Sequence, residues 1–315
     1  MNRFRRHNEV GGYIKTNGDK YKQMKDKIRI VVTDSGPGGL KFCAELAGYL
    51  KRIREAELIF FNCRPADGWG YQRLQTDAER AEVFSRALSA VNENYSPDMI
   101  VIACNTLSSI YAHTDFAGST QIPVIGIIDS GTRCAAKLLN SDTELAMLMF
   151  ATPVTVGAGV HKRLLVESGI RHERLLYQEC PGLPEIIVNG DKTEIESRIA
   201  YFMDKAAGCL QGKKFAVSLF CTHFSYAVEA FRAAAAGYSG FNGEIINPDA
   251  ALLEQVAGYL EPGKSVSGDV SVKVVTKTRH SEQVKKTLIP FLERISPETA
   301  HALRNDIHIP EFFNG

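Results

Sequence analysis

Short apolar runs recur along this chain of 315 residues, and stretches with a helical period lie between many of them. The runs are IRIVVTD, ELIFFNC, DMIVIACNT, IPVIGIID, ELAMLMFATP, RLLYQEC, FAVSLFCTHF, GEIINPD and SVKVVTK. Near-continuous apolar strands that alternate with helices are typical of a mainly parallel sheet covered on both faces. Because such sheets bind ligands beyond the carboxyl ends of their strands, polar residues at those ends are the first candidates for function.

The composition limits the classes of partner. The 37 basic and 36 acidic residues give a formal net charge of +1, which argues against a nucleic-acid binder or a membrane-surface protein. No stretch approaches the roughly 20 apolar residues that span a bilayer, and the polar N-terminus lacks the apolar centre of a secretory signal. Seven cysteines without a CxxC motif indicate reduced thiols in a cytoplasmic protein, not a disulfide framework or a zinc site.

Two of the apolar runs end in a cysteine followed by hydrogen-bonding residues. Cys104 is followed by Asn105 and Thr106, which offer donors for a carboxylate, and Cys221 is followed by Thr222 and His223. A thiol at a strand end that leads into a helix is expected to have a lowered pKa, because the backbone N–H groups of the helix start stabilise the thiolate. One such motif alone favours a buried structural cysteine, and a Cys-x-His pair alone also fits covalent catalysis or half of a metal site. Two motifs of the same construction favour a joint site.

A third strand end carries the sequence VVTDSGPGG. Asp34 and Ser35 end the first apolar run, and a glycine-rich turn follows. Such a turn can hold an anion at a helix start, but its spacing is neither GxGxxG nor GxxxxGK[ST], so it does not favour a nucleotide site. Asp34 instead offers a carboxylate to a substrate ammonium or a catalytic group. Two thiols that face each other across a small substrate can remove a proton from one face of a carbon and return one to the other.

A family resemblance is carried by the motifs DSGPGG, ACNT, IPVIGIID, ATPVTVGAGVHKRLL and LFCTHF, in this order. From about residue 28 onward the chain resembles the cofactor-independent aspartate/glutamate racemase family, and its glutamate-specific members most closely. The resemblance implies an α/β fold of two similar domains with mainly parallel sheets and the active site in the cleft between them. We therefore expect an N-terminal extension over 1–27, a first domain over 28–122 and 245–315, and a second domain over 123–244. No metal, PLP or nucleotide cofactor is implied.

The resemblance also implies a function. It is that of an isomerase that interconverts L- and D-glutamate by two-base proton transfer at the α carbon, with the family role of supplying D-glutamate for peptidoglycan in cell wall biogenesis. Cys104 and Cys221 are then the acid/base thiols, and Asp34 and His223 are their helpers. The partner is a small acidic amino acid, and homodimers are common in the family. The implied substrate-binding residues are Ser35, Asn105, Thr106, Thr222, Trp69 and Gly70.

Two features depart from the family pattern. Where glutamate racemases carry Pro-Tyr-Gly, the segment DGWGYQ places Trp69, with Arg64 and Arg73 nearby as candidate contacts for a distal carboxylate. At the place of an acidic residue that supports the histidine stands Val188, and Glu185 lies earlier. These departures favour, as alternatives, a racemase or isomerase of aspartate or another small carboxylate, or a non-catalytic binding protein on the same fold.

The remaining histidines and cysteines receive structural predictions. His161, His172, His280 and His301 are expected at the surface, and Cys43, Cys63, Cys134, Cys180 and Cys209 are expected to be core residues. The C-terminal stretch SPETAHALRNDIHIPEFFNG is unlike a minimal racemase.

Overall fold

Two parallel sheets organise the chain, which a computed structural model describes over residues 27–260 and 268–314. The first sheet has the order β10 (Ile307–His308), β9 (Val270–Thr276), β2 (Glu55–Asn62), β1 (Lys27–Asp34), β3 (Met99–Ile102) and β4 (Val124–Gly126). The second has the order β6 (Leu175–Glu179), β5 (Leu145–Ala151), β7 (Lys214–Phe220) and β8 (Phe241–Ile246). Neighbouring strands pair in parallel throughout both sheets, which confirms the predicted fold class.

Helices occupy the connections between the strands. They are α1 (Leu40–Leu50), α2 (Asp77–Tyr95), α3 (Asn105–Ile110), α4 (Asp115–Ser119), α5 (Ile127–Ser141), α6 (Pro153–Ala158), α7 (Val160–Glu167), α8 (Leu183–Asn189), α9 (Lys192–Leu210), α10 (Val228–Ala236), α11 (Pro248–Ala257), α12 (Glu282–Glu293) and α13 (Pro297–Arg304). Short 3-10 helices lie at Tyr71–Arg73, Tyr111–His113, His172–Arg174 and Thr222–Tyr226. Within the described ranges, none of the helices combines the length and the apolar character that a bilayer span needs.

Both faces of each sheet are buried, which explains the near-continuous apolar runs. Along β1, Ile30 and Val32 pack into one core together with Leu46 of α1. The intervening Val31 points to the opposite core, where it meets Phe84 of α2. The second sheet separates two further cores in the same way. Since successive strand residues point to opposite faces, both must be apolar when helices cover both sides.

The chain crosses from the first sheet to the second after β4 and returns after β8. The strand β4 pairs within the first sheet and ends at Gly126, and β8 pairs within the second and ends at Ile246. Each sheet therefore extends a few residues beyond the expected boundaries at 122/123 and 244/245, and the division into domains at those positions stays a prediction. The expected N-terminal extension over 1–27 lies outside the described residues, apart from Lys27, which begins β1.

The two crossings lie side by side. The first leads into α5 and the second into α11, and these two helices pack against each other. The hydroxyl of Ser130 on α5 donates a hydrogen bond of 2.5 Å to Gln255 Oε1 on α11, and Arg133 Nη2 donates to the same oxygen at 2.6 Å. The two connections between the sheets therefore consist of a pair of helices that are hydrogen-bonded to each other.

Candidate active site

A cavity of about 530 Å³ lies at the carboxyl ends of strands from both sheets. Residues that end or follow β1, β2 and β3 line it from one side, and residues that follow β5, β6 and β7 line it from the other. Nearly all of the expected site residues line this cavity: Asp34, Ser35, Gly70, Cys104, Asn105, Thr106, Cys221, Thr222 and His223. The strand ends that the sequence singled out thus come together in one place.

Cys104 follows β3 directly and precedes α3. Its Sγ lies 3.2 Å from the hydroxyl oxygen of Ser35. The pKa of Cys104 is raised to about 12, mainly by burial and also by the nearby carboxylate of Asp34, whereas hydrogen bonds from Ser35 and from the Leu107 backbone oppose the rise. The expectation of a lowered pKa at this helix start is therefore wrong, because the loss of hydration on burial outweighs the hydrogen bonds that the thiol receives.

Cys221 occupies the corresponding position after β7. Burial raises its pKa well above the usual range, and the charges of Cys104 and Asp34 act in the same direction, which places both thiols within reach of one another's charge. The Cys221 Sγ lies 3.7 Å from Nδ1 of His223. Burial lowers the pKa of His223 to about 4, with a further contribution from the Arg64 charge. The imidazole is therefore neutral at neutral pH, with a ring nitrogen beside the thiol.

Asp34 is fully buried at the end of β1 and is held by residues of both halves of the cavity. The hydroxyl of Thr222 donates to Asp34 Oδ2 at 2.8 Å, and the backbone N–H of Gly36 donates to Oδ1 at 3.2 Å. Burial raises the pKa of Asp34 to about 7, against the opposing effect of these hydrogen bonds. Its carboxyl group consequently gains or loses a proton close to neutrality.

The glycine-rich turn after Asp34 serves the contact between the two halves. A Cβ atom on Gly38 would lie 2.4 Å from Thr222 Oγ1 and 2.6 Å from His223 Nδ1. Glycine is therefore required here because the loop after β7 approaches the backbone too closely for any side chain. This packing explains the turn without a phosphate ligand.

Asn105 and Thr106 have partners in the segment after β5, beside the second sheet, that sequence reasoning missed. The hydroxyl oxygen of Thr106 lies 3.0 Å from that of Thr155 and 3.3 Å from that of Thr152. Asn105 Oδ1 lies 2.9 Å from Nε2 of His161. The signal was present in the motif ATPVTVGAGVHKRLL, which contains all three partners, but nothing in a single segment shows which helix positions will face a cleft.

His161 is completely buried, so its expected surface position is wrong. Its ring stacks on Phe220 at a centroid distance of 3.9 Å and an interplanar angle of 17°. Burial lowers the pKa of His161 to about 3, so the ring is neutral. Within the described part of the chain, its Nδ1 and the Nδ2 of Asn105 are buried without a hydrogen-bond partner. His161 thus connects the residue after Cys104 to the residue before Cys221.

Of the other three histidines that were expected at the surface, one is buried and two are exposed. His280 is buried and lines the cavity, contrary to the surface prediction. His172 and His301 are exposed, as expected. Of the five cysteines expected in the core, Cys43, Cys63 and Cys180 are buried, Cys134 is partly buried and Cys209 is exposed, which corrects the prediction for Cys209.

Only some residues of the altered loop after β2 reach the cavity. Arg64 and Gly70 line the cavity, but Trp69 does not, and its side chain is half-buried elsewhere. The backbone carbonyl of Trp69 accepts a hydrogen bond of 3.2 Å from Arg64 Nε. Arg73 is exposed and lies outside the lining. The structure thus brings one of the two candidate arginines to the cavity.

Glu185 and Val188 both lie on α8 and line the cavity. Glu185 contributes to the raised pKa of Cys221 through its charge. Within the described ranges, the hydrogen-bond partner found for the His223 ring is Cys221, and no carboxylate contacts it. The structure also contains, over these ranges, no group of three or more His, Cys, Asp or Glu side chains that could hold a metal ion.

Comparison with known protein families agrees with the geometry. The model of the Asp/Glu/hydantoin racemase family matches residues 39–256. The chain belongs to this family. Its membership confirms the resemblance seen in the motifs, and the expectation of an isomerase of the amino-acid racemase class.

Relatives and solved structures of this racemase family extend the comparison. The glutamate racemase of Campylobacter concisus is 25% identical over 238 residues, which cover 74% of this chain and 80% of the relative. That of Leptospira borgpetersenii is 30% identical over 203 residues, which cover 64% and 72%.

Among solved structures, the Francisella tularensis glutamate racemase in complex with D-glutamate matches with a TM-score of 0.67 at 17% identity, covering 86% of this chain and 96% of that one. An isoform from Bacillus anthracis matches with a TM-score of 0.66 at 18% identity, covering 87% and 96%. At these identities the likeness establishes the two-domain racemase fold.

Proposed function

We propose that this chain interconverts L- and D-glutamate, with Cys104 and Cys221 as the two bases at the α carbon. The observation that carries the proposal is the position of the two thiols. They follow strands of different sheets, both line one cavity, and each lies beside a group that can exchange a proton with it. Two such groups on opposite walls are what inversion at a carbon requires.

The positions of the two thiols and of their neighbours support a two-base mechanism. In one direction, neutral His223 takes the proton of the Cys221 thiol, and the thiolate removes the Cα proton of the substrate. The Cys104 thiol then donates its proton to the opposite face of the carbanion. Because burial raises the pKa of both thiols, each thiolate is a strong base, which matches the weak acidity of a Cα–H bond.

The reverse direction uses the other side of the cavity. The Cys104 thiol must lose its proton before it can act as the base, and Asp34, with a pKa of about 7, is the group on that side that can hold it. The Cys221 thiol then supplies the proton to the opposite face. One proton leaves the α carbon and one returns in each direction, so neither PLP nor a metal enters the proposal.

An acidic substrate fits the polar groups of the cavity. The hydroxyl and amide groups of Ser35, Asn105 and Thr106 are donors for a carboxylate, and Arg64 supplies a cation on the same wall. Glutamate is chosen because the relatives named above are glutamate racemases. The supply of D-glutamate for peptidoglycan, a cytoplasmic location and a homodimer belong to the same proposal and rest on the family resemblance.

Specific observations favour two alternative functions. The loop around Trp69 differs from the family pattern, which favours aspartate or another small carboxylate as the substrate. The lack of a carboxylate beside His223 within the described residues favours a binding protein without turnover. Both alternatives are separated from the proposal by the same measurement.

The test is solvent deuterium exchange at the α carbon, followed by NMR for both enantiomers of glutamate and of aspartate. The wild type is compared with Cys104→Ala and Cys221→Ala, and Cys209→Ala, which changes an exposed cysteine, is the control. The proposal requires exchange with inversion of glutamate in the wild type and the control, and loss of inversion in both active-site variants. Inversion of aspartate alone would move the assignment to that substrate. A folded wild type that exchanges none of the four would leave a binding role.

A further inference from the structure

The C-terminal segment reaches the candidate active site through a chain of hydrogen bonds. Asp306 follows α13, and its Oδ2 accepts a hydrogen bond of 2.8 Å from His280 Nδ1. Its other oxygen accepts one of 2.6 Å from Lys285 Nζ. The opposite nitrogen of His280, Nε2, lies 3.0 Å from Nδ2 of Asn62. A segment unlike a minimal racemase is thus tied to the last residue of β2.

The donors and acceptors in this series of hydrogen bonds determine the direction of each hydrogen bond. Since Asp306 accepts the hydrogen on Nδ1, Nε2 is the ring nitrogen left to accept a hydrogen bond from Asn62. The Asn62 amide must therefore present Nδ2 to His280, which leaves Oδ1 to accept from the backbone N–H of Arg64 at 3.2 Å. Asp306 in this way determines the orientation of the Asn62 amide, two residues before Arg64.

Arg64 is the cation that this arrangement holds at the cavity. Its Nε is used by the carbonyl of Trp69, and over the described ranges no carboxylate pairs with its guanidinium. It lines the cavity, and its charge reaches His223. A guanidinium without a carboxylate partner, beside a substrate that carries two carboxylates, is a natural anion contact.

We propose that Asp306 and His280 are positioning residues that hold Asn62 and the loop after β2 so that Arg64 contacts the side-chain carboxylate of the substrate. The proposal rests on the proposed function, because it assigns the specificity for an acidic side chain to Arg64. Interruption of this series of hydrogen bonds is expected to raise KM for glutamate about tenfold. It should leave kcat nearly unchanged, since neither thiol is altered.

The sharpest test replaces His280 in two ways. In His280→Asn the short amide can still donate to Asp306 but does not reach Asn62. In His280→Gln the longer amide places an acceptor close to the position of Nε2 and keeps the bond to Asn62. We expect the rise in KM in His280→Asn and substantial rescue in His280→Gln. His172→Gln, at an exposed histidine, is the matched control, and thermal unfolding confirms that each variant is folded.

A double-mutant cycle shows whether His280 acts through Arg64. In an Arg64→Gln background, His280→Asn is expected to cause no further rise in KM, because the group that it positions is already gone. An equal rise in both backgrounds, or a folded His280→Asn enzyme with the wild-type KM, would overturn the positioning role and leave the racemase assignment intact.

The test remains decisive if the wild type does not racemise glutamate, an outcome that sinks the proposed function by itself. The dissociation constant of D-glutamate, measured by calorimetry on the same variants, then replaces KM. Weaker binding in His280→Asn than in His280→Gln supports the positioning role, and equal binding or no binding to any of the proteins contradicts it.

Discussion

The hydroxyl of Thr222 donates a 2.8 Å hydrogen bond to Oδ2 of Asp34 across the boundary between the two sheets. Asp34 ends β1, and Thr222 belongs to the 3-10 helix that follows β7. Burial raises the pKa of the Asp34 carboxyl group, and this bond is the largest of the interactions that lower it. The ionisation of one half of the molecule therefore depends on a side chain from the other half.

Replacement of Asp34 by Asn is expected to stabilise the protein at alkaline pH. The pKa of Asp34 rises from 3.8 to about 7 on folding, so the folded state holds a proton that the unfolded chain releases above pH 3.8. The free energy of unfolding consequently falls as the pH rises between these values, by about 4 kcal/mol in all. Asp34→Asn carries no charge and avoids this loss. Urea unfolding at pH 4 and pH 8 measures it, and an identical pH dependence in both proteins would contradict the expectation.

Thr222→Val is expected to shift the pH dependence of activity. Loss of the hydroxyl removes a hydrogen bond that lowers the pKa of Asp34, so that pKa rises and less carboxylate is present at neutral pH. The acid limb of the pH profile of kcat/KM should therefore move to higher pH. Thr222→Ser keeps the donor and should retain the wild-type limb. A limb that moves equally in both variants would point to packing and not to the hydrogen bond.

Gly38→Ala is expected to reduce kcat/KM by about tenfold to a hundredfold. Its Cβ would overlap with Thr222 Oγ1 and His223 Nδ1 and push the loop that carries Cys221 away from its place. Gly36→Ala is the matched control, because a Cβ there would lie 3.4 Å from the His223 ring, an ordinary contact. Steady-state kinetics of both variants decide the matter, and similar values for the two would show that the approach at Gly38 has no consequence for catalysis.

His161→Phe is expected to destabilise the protein by about 1–3 kcal/mol, because it leaves the buried Asn105 amide without its partner. The ring of Phe can preserve the stacking on Phe220, so the change isolates the hydrogen bond. In the double variant with Asn105→Leu both polar groups are removed together, and the combined loss should be smaller than the sum of the single losses. Chemical unfolding measures all three proteins. Additive losses would mean that the two residues act separately.

Alkylation by iodoacetamide should be slow at both active-site thiols. With a pKa of about 12, Cys104 is a thiolate in only about one molecule in ten thousand at pH 8. The exposed Cys209 should react first, and Cys209→Ser should remove that fast phase. Peptide mass spectrometry over time identifies each site. Rapid labelling of Cys104 or Cys221 near pH 7 would show that their pKa values are lowered, as the helix position alone suggested.

The sequence predicted the sheets and most of the site because both depend on local patterns. Apolar runs covered on both faces mark parallel strands, and the carboxyl ends of parallel strands meet. It failed where a residue is buried by a distant segment. His161 and His280 stand in polar, helix-like or turn-like surroundings in the sequence, and their partners Asn105 and Asp306 lie far away along the chain.

Two further expectations depended on features that only the folded chain shows. The helix start beside Cys104 suggested a lowered thiol pKa, but the depth of burial, which no single motif reveals, reverses the sign. The loop around Trp69 was recognised as unusual from its letters alone. Whether Trp69 reaches the cavity depends on the conformation of the folded loop, in which the Trp69 carbonyl binds Arg64 and its side chain is not part of the lining.

The paired crossings through α5 and α11 give the two thiols a mechanical relationship. Cys104 is carried by one sheet and Cys221 by the other, and the sheets are joined where Ser130 and Gln255 meet. Beside the cavity itself, the contacts of Thr222 with Asp34 and of Thr106 with Thr155 join the same two sides a second time. The gap that a substrate carbon must fit is therefore fixed at two places, by the paired helices α5 and α11 and by the hydrogen bonds beside the thiols.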